Sequence, residues 1–273
     1  MVTRLWDKSK PPLGPFVLNK DCPQAQGLVA WYPFNGASSK FVPDRCGKTH
    51  IDSGTPPVLT IGRHGEPTAL FTAASSQYLN TTRQPVSAYP FSVSSWFKPR
   101  TVATSVIVGA GETSSTTNYW GMVLISGGTL RAQIASGGVA AHISETSAVV
   151  SAGAWQYGVN TYTDSTTNQV YLNTVAGTAS DSNSNAFPTS NNFGIASWQR
   201  SSSGLYFDGE IGETCIWDRV ISTADIVRGY DLGRRFELWY PLRSRKWISI
   251  PAGGAFNPAW ARQRSQIIGA GAR

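Results

Sequence analysis

The sequence predicts an all-β protein: one antiparallel β-sandwich with a short helix near its end and an extended arm on either side. Three observations predict it. Short apolar runs, alternating or continuous, recur along most of the chain. Turn-forming residues return between them roughly every 8–15 residues. The composition is that of aromatic-rich strands joined by many turns, with 27 Gly, 16 Pro and 31 aromatic residues among 273, and only 14% charged. The apolar share of 41% is enough for a real core.

Residues 1–26 read as an extended N-terminal arm. Pro11, Pro12, Pro15 and Pro23 deny it a helix or a central strand. Such an arm is ordered only where it lies on something. From residue 27 the pattern turns to strands. "GLVAWYPF" (27–34) is a compact apolar run, and 57–80 holds two short strands around a Gly-rich turn. "FSVSSWFKP" (91–99) alternates, with Phe91, Val93 and Phe97 on one face and Ser92, Ser94 and Trp96 on the other. Runs at 105–111, 119–126 and 129–136 follow, and Gly127-Gly128 makes a hairpin of the last two. A second hairpin joins 155–163 to 168–174, and runs at 193–197, 204–209 and 210–220 complete the strands. Ser222, with Asp225 three residues on, has the spacing of a capping box opening a helix. Ile221, Ile226 and Tyr230 share its buried face, and Gly233 is a plausible stop. The sandwich therefore spans 27–240, and 241–273 forms a C-terminal arm. No internal repeat is visible.

In order, these pieces resemble the laminin G-like (LamG) class of concanavalin A-like jelly rolls. The likeness is carried by Gly27 to Phe34, Asp44 to Gly47, Ala69-Leu70-Phe71, Tyr78-Leu79 and Phe91 to Lys98. It continues through Trp155, Val170 to Asn173, Phe207 to Glu213, Ile216 to Arg219, Ile221-Ser222 and Asp225-Ile226. The resemblance implies the jelly-roll fold. It leaves function open, because that fold carries lectins, enzymes, adhesion modules and structural parts. The flanks resemble virion-associated proteins of tailed bacteriophages: a proline-bearing leader before Gly27, and a trailer reading "PAWAR" (258–262) and then "IG".

Charge sharpens that expectation. Residues 219–273 hold ten basic and three acidic residues, a surplus equal to the whole net charge of +7, while residues 1–218 sum to zero. The final segment also carries Trp247, Phe256, Trp260 and Ile267, which are costly to leave in water. Arginine with tryptophan is the composition of interface anchors. Trp247, Phe256, Trp260, Arg262, Arg264, Ile267, Arg245 and Lys246 are therefore expected to dock on another subunit. With six basic residues after 242, interleaved with apolar ones, the pattern argues against nucleic acid.

Little catalytic chemistry stands out. "FDGEIGE" (207–213) resembles the acidic strand of β-glucanases, with Asp208 and Glu210 as the carboxylate pair of a glycoside hydrolase and Glu213 joining through a bulge. Its acid order departs from theirs, so a structural strand is the stronger reading. Asp44 and Asp208 are weak calcium candidates, as some laminin G-like domains imply; the plainer reading of Asp44 is an Asx turn. An aromatic platform for sugar would use Tyr119, Trp120 and Trp198, with Tyr89 a further candidate. "GAGETSSTT" (109–117) lacks the Lys and following helix of a phosphate loop and reads as a hairpin loop. His50, His64 and His142 are scattered, and Cys22, Cys46 and Cys215 have no metal-ligand spacing, so buried thiols are expected. No run approaches the ~20 apolar residues of a membrane span, and the proline-rich start shows no secretory signal. The expectation is a non-enzymatic virion structural protein made in the bacterial host cytoplasm, such as a capsid decoration protein, head fibre base or minor capsid protein. Its arms would bind major capsid or tail subunits and sister copies, with no cofactor. Its displayed sandwich is the natural place for adhesion to a host surface glycan, and a lectin-like carbohydrate-binding module is the alternative.

Overall fold

The computed structural model describes residues 7–12, 14–38, 40–47, 50–53, 55–179, 183–198, 200–201 and 204–242. The docking residues expected at Arg245, Lys246, Trp247, Phe256, Trp260, Arg262, Arg264 and Ile267 lie outside the described residues. The strands in chain order are β1 (Phe16–Leu18), β2 (Leu28–Tyr32), β3 (Phe41–Val42), β4 (Ile51–Ser53), β5 (Val58–Ile61), β6 (Pro67–Phe71), β7 (Leu79–Thr81), β8 (Phe91–Pro99), β9 (Ser105–Gly111) and β10 (Tyr119–Leu124). They continue as β11 (Leu130–Ala135), β12 (His142–Glu145), β13 (Gln156–Asp164), β14 (Thr167–Leu172), β15 (Val175–Ala176), β16 (Thr178–Ala179), β17 (Asn192–Ile195), β18 (Gly209–Trp217) and β19 (Trp239–Pro241). The helix α1 covers Thr223–Tyr230.

Two antiparallel sheets form the sandwich. One runs β16-β12-β11-β10-β9-β17-β7-β4-β3; the other runs β15-β14-β13-β8-β18-β6-β5, with β2 also on β18. A register shift in β18 between Ile211 and Thr214 lets this strand pair first with β6 and then with β2 along the same edge. Alternation sets the core. Phe91, Val93 and Phe97 of β8 meet Trp120, Met122 and Leu124 of β10 between the sheets, all essentially buried. Phe91 stacks on Tyr162 at 4.4 Å.

The outer face of the eight-stranded sheet is also covered. The polar-looking face of β8 puts Trp96 there, beside Trp31, Tyr157, Cys215 and Trp217. Over them lie Phe16 and Cys22 from before the sandwich, and Ile226, Phe236, Leu238 and Trp239 from after it. β1 pairs antiparallel with β19. Phe16 packs 4.2 Å from Trp239 and 5.7 Å from Trp31. Lys8 binds Glu237 at 2.9 Å, and the indole N–H of Trp217 donates to the Gln24 carbonyl at 2.7 Å. Residues 7–12 and 14–26, expected as part of an extended arm, thus lie on the chain's own body. The prolines forbid a long element but not this: Pro11, Pro12 and Pro15 precede a three-residue strand, and Pro23 opens a short 3-10 turn. Pro241, expected in the C-terminal arm, closes β19.

The capping box of α1 forms as its spacing predicts, Ser222 Oγ accepting from the Asp225 N–H and the Asp225 carboxylate from the Ser222 N–H. Ile226 is buried; Tyr230 stays at the rim, parallel to Trp96 at 5.9 Å. The expected strand at 204–209 is replaced by a turning segment, with Leu205 at φ +55° and Phe207 buried in the core.

Candidate functional site

The acids of the hydrolase-like stretch each have a structural partner. Asp208 pairs with Arg100 at 3.2 Å and Glu210 with Lys98 at 2.5 Å. The bulge expected for Glu213 exists, but it turns this carboxylate under the outer layer. There its Oε1 accepts the indole N–H of Trp31 at 2.5 Å and of Trp239 at 2.9 Å. Burial pushes the Glu213 carboxyl up, against the pull of the two indoles and Arg235. Beside it, Arg235 pairs with Glu66 at 2.5 Å, both side chains 1% exposed, and lies 4.2 Å over the Trp96 ring. Asp44, a calcium candidate, accepts the backbone N–H groups of Trp31 and Cys46 at 2.9 and 2.8 Å. The second bond is an Asx turn. Among the described residues no three His, Cys, Asp or Glu are grouped to hold a metal.

The glycan candidates divide. Trp120 is fully buried between the sheets, 5.1 Å from Phe91, and cannot form a surface platform. Strand alternation decides this: Tyr119 and Trp120 are neighbours and so face opposite ways. Tyr119 points outward with Val123. The structure brings Trp198 to it, ring centroids 4.6 Å apart, although 78 residues separate them. Trp198 is only 3% exposed, which corrects its expected role as an open platform. It lies flat on the sheet because β9 and β10 carry glycines there. A Cβ at Gly109 or Gly121 would come within 2.7 or 2.8 Å of its indole nitrogen. That nitrogen donates to the Trp120 carbonyl at 3.3 Å.

What covers Trp198 is Arg200, a residue the sequence reading did not single out. Its guanidinium lies 4.6 Å over the Trp198 ring and 4.9 Å over the Tyr119 ring. Nη1 donates to the Thr116 carbonyl at 2.8 Å. Both residues sit where the chain leaves β17 and folds back on itself. Trp198 bridges to Gly204, Ser197 Oγ donates to the Gly204 carbonyl, and Ala196 turns at φ +69°. The Ser201 N–H ties this excursion to the Ser115 carbonyl at 3.3 Å.

The β9–β10 loop supplies the rim. It is the hairpin loop expected for 109–117, closed by the Glu112 N–H on the Asn118 carbonyl. Glu112 accepts from Ser114 and Asn118, and Asn191 accepts from the Thr113 N–H. At this end of the nine-stranded sheet a half-exposed ring and a cation are thus framed by hydroxyls and amides. Rings present a flat apolar face to C–H groups, and amides and hydroxyls pair with hydroxyls. Tyr89 lies elsewhere, its hydroxyl donating to the Asn185 carbonyl, and burial pushes its pKa up to about 12. A separate shallow cavity of about 760 Å³ lies beside β1 and β19, with Lys20, Arg45 and Tyr240 among its lining.

Residues 73–227 match the model of the concanavalin A-like lectin/glucanases superfamily, Laminin_G_3. No curated protein matches the chain. Among solved structures, domain 4 of AbnA, a GH43 extracellular arabinanase from Geobacillus stearothermophilus in complex with arabinotriose, is similar. It has a TM-score of 0.57 and 18% identity, over 73% of this chain and 96% of that one. The binding domain of Paraclostridial Mosquitocidal Protein 1 gives 0.59 and 13%, over 76% of this chain and 52% of that one. The binding domain of Botulinum Neurotoxin DC in complex with SialylT gives 0.55 and 10%, over 74% and 50%. This chain therefore spans about half of either toxin binding domain. The likenesses establish a shared all-β jelly roll.

Proposed function

The chain belongs to the concanavalin A-like lectin/glucanases superfamily, and from that premise we propose that it is a non-catalytic carbohydrate-binding module. Its binding face is the end of the nine-stranded sheet around Tyr119 and Arg200. The observation that carries the reading is the stack itself: a half-exposed tyrosine braced by a buried tryptophan and an arginine, rimmed by Asn118, Asn191 and Glu112. A rigid ring with adaptable polar neighbours suits the mixed apolar and hydroxyl surface of a sugar. Two proteins of the same fold support it, one in complex with arabinotriose and one with SialylT. The engagement of Asp208, Glu210 and Glu213 by structural partners supports the non-catalytic part.

The test is an array of bacterial and host glycans probed with the full-length protein and with Tyr119→Ala. The expected result is binding that Tyr119→Ala weakens roughly tenfold or more, the loss of one well-packed aromatic contact, with no release of reducing ends. Absence of binding to every glycan, or binding indifferent to Tyr119→Ala, overturns the reading; so does sugar release that Glu210→Gln abolishes.

A second reading concerns attachment to a virion. It is favoured by the segment 243–273, which has six basic residues, no acid, and Trp247, Phe256 and Trp260 among them. A partner surface bearing carboxylates would match it. Deleting 243–273 is expected to abolish incorporation into particles and leave the sandwich folded. Normal incorporation of the shortened chain removes this reading.

A further inference from the structure

Arg200 differs from two of the three other cations that lie over rings, which are held in ion pairs. Lys98, over Trp155, is paired with Glu210, and Arg235, over Trp96, is paired with Glu66. Arg45, over Phe16, has no ion pair among the described residues either, but its Nη2 donates to the Asn35 carbonyl, with the Asn35 side-chain oxygen at 3.4 Å. Arg200 has one hydrogen bond among the described residues, from Nη1 to Thr116, and no carboxylate within ion-pair distance. Glu112, the acid of the adjoining loop, already accepts from Ser114 and Asn118. The guanidinium rests against Trp198 and Tyr119, its Nε is buried without a partner, and among the described residues Nη2 and the second hydrogen of Nη1 have no acceptor.

From this we infer that the site takes an acidic saccharide, whose carboxylate pairs with Arg200 while its ring lies against Tyr119. The inference rests on the carbohydrate-binding reading and adds the ligand class to it. A planar guanidinium with two adjacent free N–H groups matches a carboxylate in a two-point pair. The contacts supply the pre-organisation: the side chain is already held by two rings and the Thr116 carbonyl, so little rotamer freedom is lost when the anion arrives. A neutral sugar would leave the same N–H groups to weaker hydroxyl acceptors. The partly screened position makes the attraction sensitive to salt.

The test uses the full-length protein on an array in which each uronate-containing or sialylated glycan is printed beside its carboxyl-reduced form. The expected result is a preference for the acidic form of roughly tenfold or more, the range of a hydrogen bond to a charged group. Arg200→Gln is expected to erase that preference while leaving the melting temperature unchanged, and Arg200→Lys to keep only part of it. Equal binding of acidic and reduced forms that depends on Tyr119 overturns the inference and leaves carbohydrate binding standing. An acidic preference that survives Arg200→Gln overturns it as well. Absence of binding to every glycan overturns both.

Discussion

Two arginines lie over aromatic rings on opposite outer faces of the sandwich. Arg235 is 4.2 Å over Trp96, is 2% exposed, and is closed off by the ion pair with Glu66. Arg200 is 4.6 and 4.9 Å over Trp198 and Tyr119, is only half-buried, and meets a single carbonyl. The stacking is alike and the burial is not. A charge taken fully out of water needs a partner of its own, and here Glu66 supplies it. A charge that keeps part of its hydration does not, so its remaining donors stay open to something from outside. Among the described residues, the flanking segments roof the first face, while the second carries Trp198 and the short excursion that bridges it to Gly204. An arginine–aromatic pair therefore acquires its meaning from what covers it.

The comparison breaks most visibly at the covered face. Glu66→Gln removes one member of a buried pair and leaves Arg235 only the more distant Glu213, so the cost approaches that of a broken buried pair, about 3–5 kcal/mol. Urea unfolding followed by tryptophan fluorescence measures it. A loss below about 1 kcal/mol, the value of an exposed pair, means that the outer layer opens to water and that the two faces are less different than drawn.

Phe16→Ala tests the roof itself. Phe16 is 6% exposed between Trp31 and Trp239. Truncating a buried phenylalanine costs about 3 kcal/mol or more, with an unchanged denaturant slope if residues 7–26 unfold together with the sandwich. A loss within about 0.5 kcal/mol, as for a surface residue, means that this segment is draped over the sheet and not part of its core.

The sequence made the long strands readable and the outer layer opaque. β8 and β9 stand at 91–99 and 105–111, as their apolar patterns indicate, and the Ser222–Asp225 spacing forms the capping box. The missed strands have two to four residues, too few for a period to show: β3, β12 and β16, for example. The covering of Trp31 depends on Phe16 and Trp239, contacts between the two ends of the described chain. Local spacing holds no trace of such contacts. The site shows the same division. Tyr119 was legible as an aromatic next to a polar loop. Alternation alone says that Tyr119 and Trp120 cannot both face solvent; that Trp120 is the one in the core required the fold. Arg200 had one available signal, its position two residues from Trp198 in a Ser-rich stretch. Its place over Tyr119 required the fold to bring β10 beside the segment after β17.

The smallest expected effect is the most discriminating. Arg200→Ala removes a half-exposed cation with one hydrogen bond, so its cost in unfolding free energy is expected to stay within about 0.5 kcal/mol. Yet the same change strips the guanidinium from Trp198, whose ring is otherwise floored by Gly109 and Gly121. Quenching of tryptophan fluorescence by iodide is therefore expected to rise in Arg200→Ala and to remain unchanged in Arg100→Ala, where the arginine pairs with Asp208 and, among the described residues, lies over no ring. Small cost with raised quenching is the signature of a cation that covers a ring without holding the fold together. A cost above about 1.5 kcal/mol would place Arg200 in the same class as Arg235, as a structural charge, because a side chain kept for a ligand cannot also carry a large share of a marginal stability.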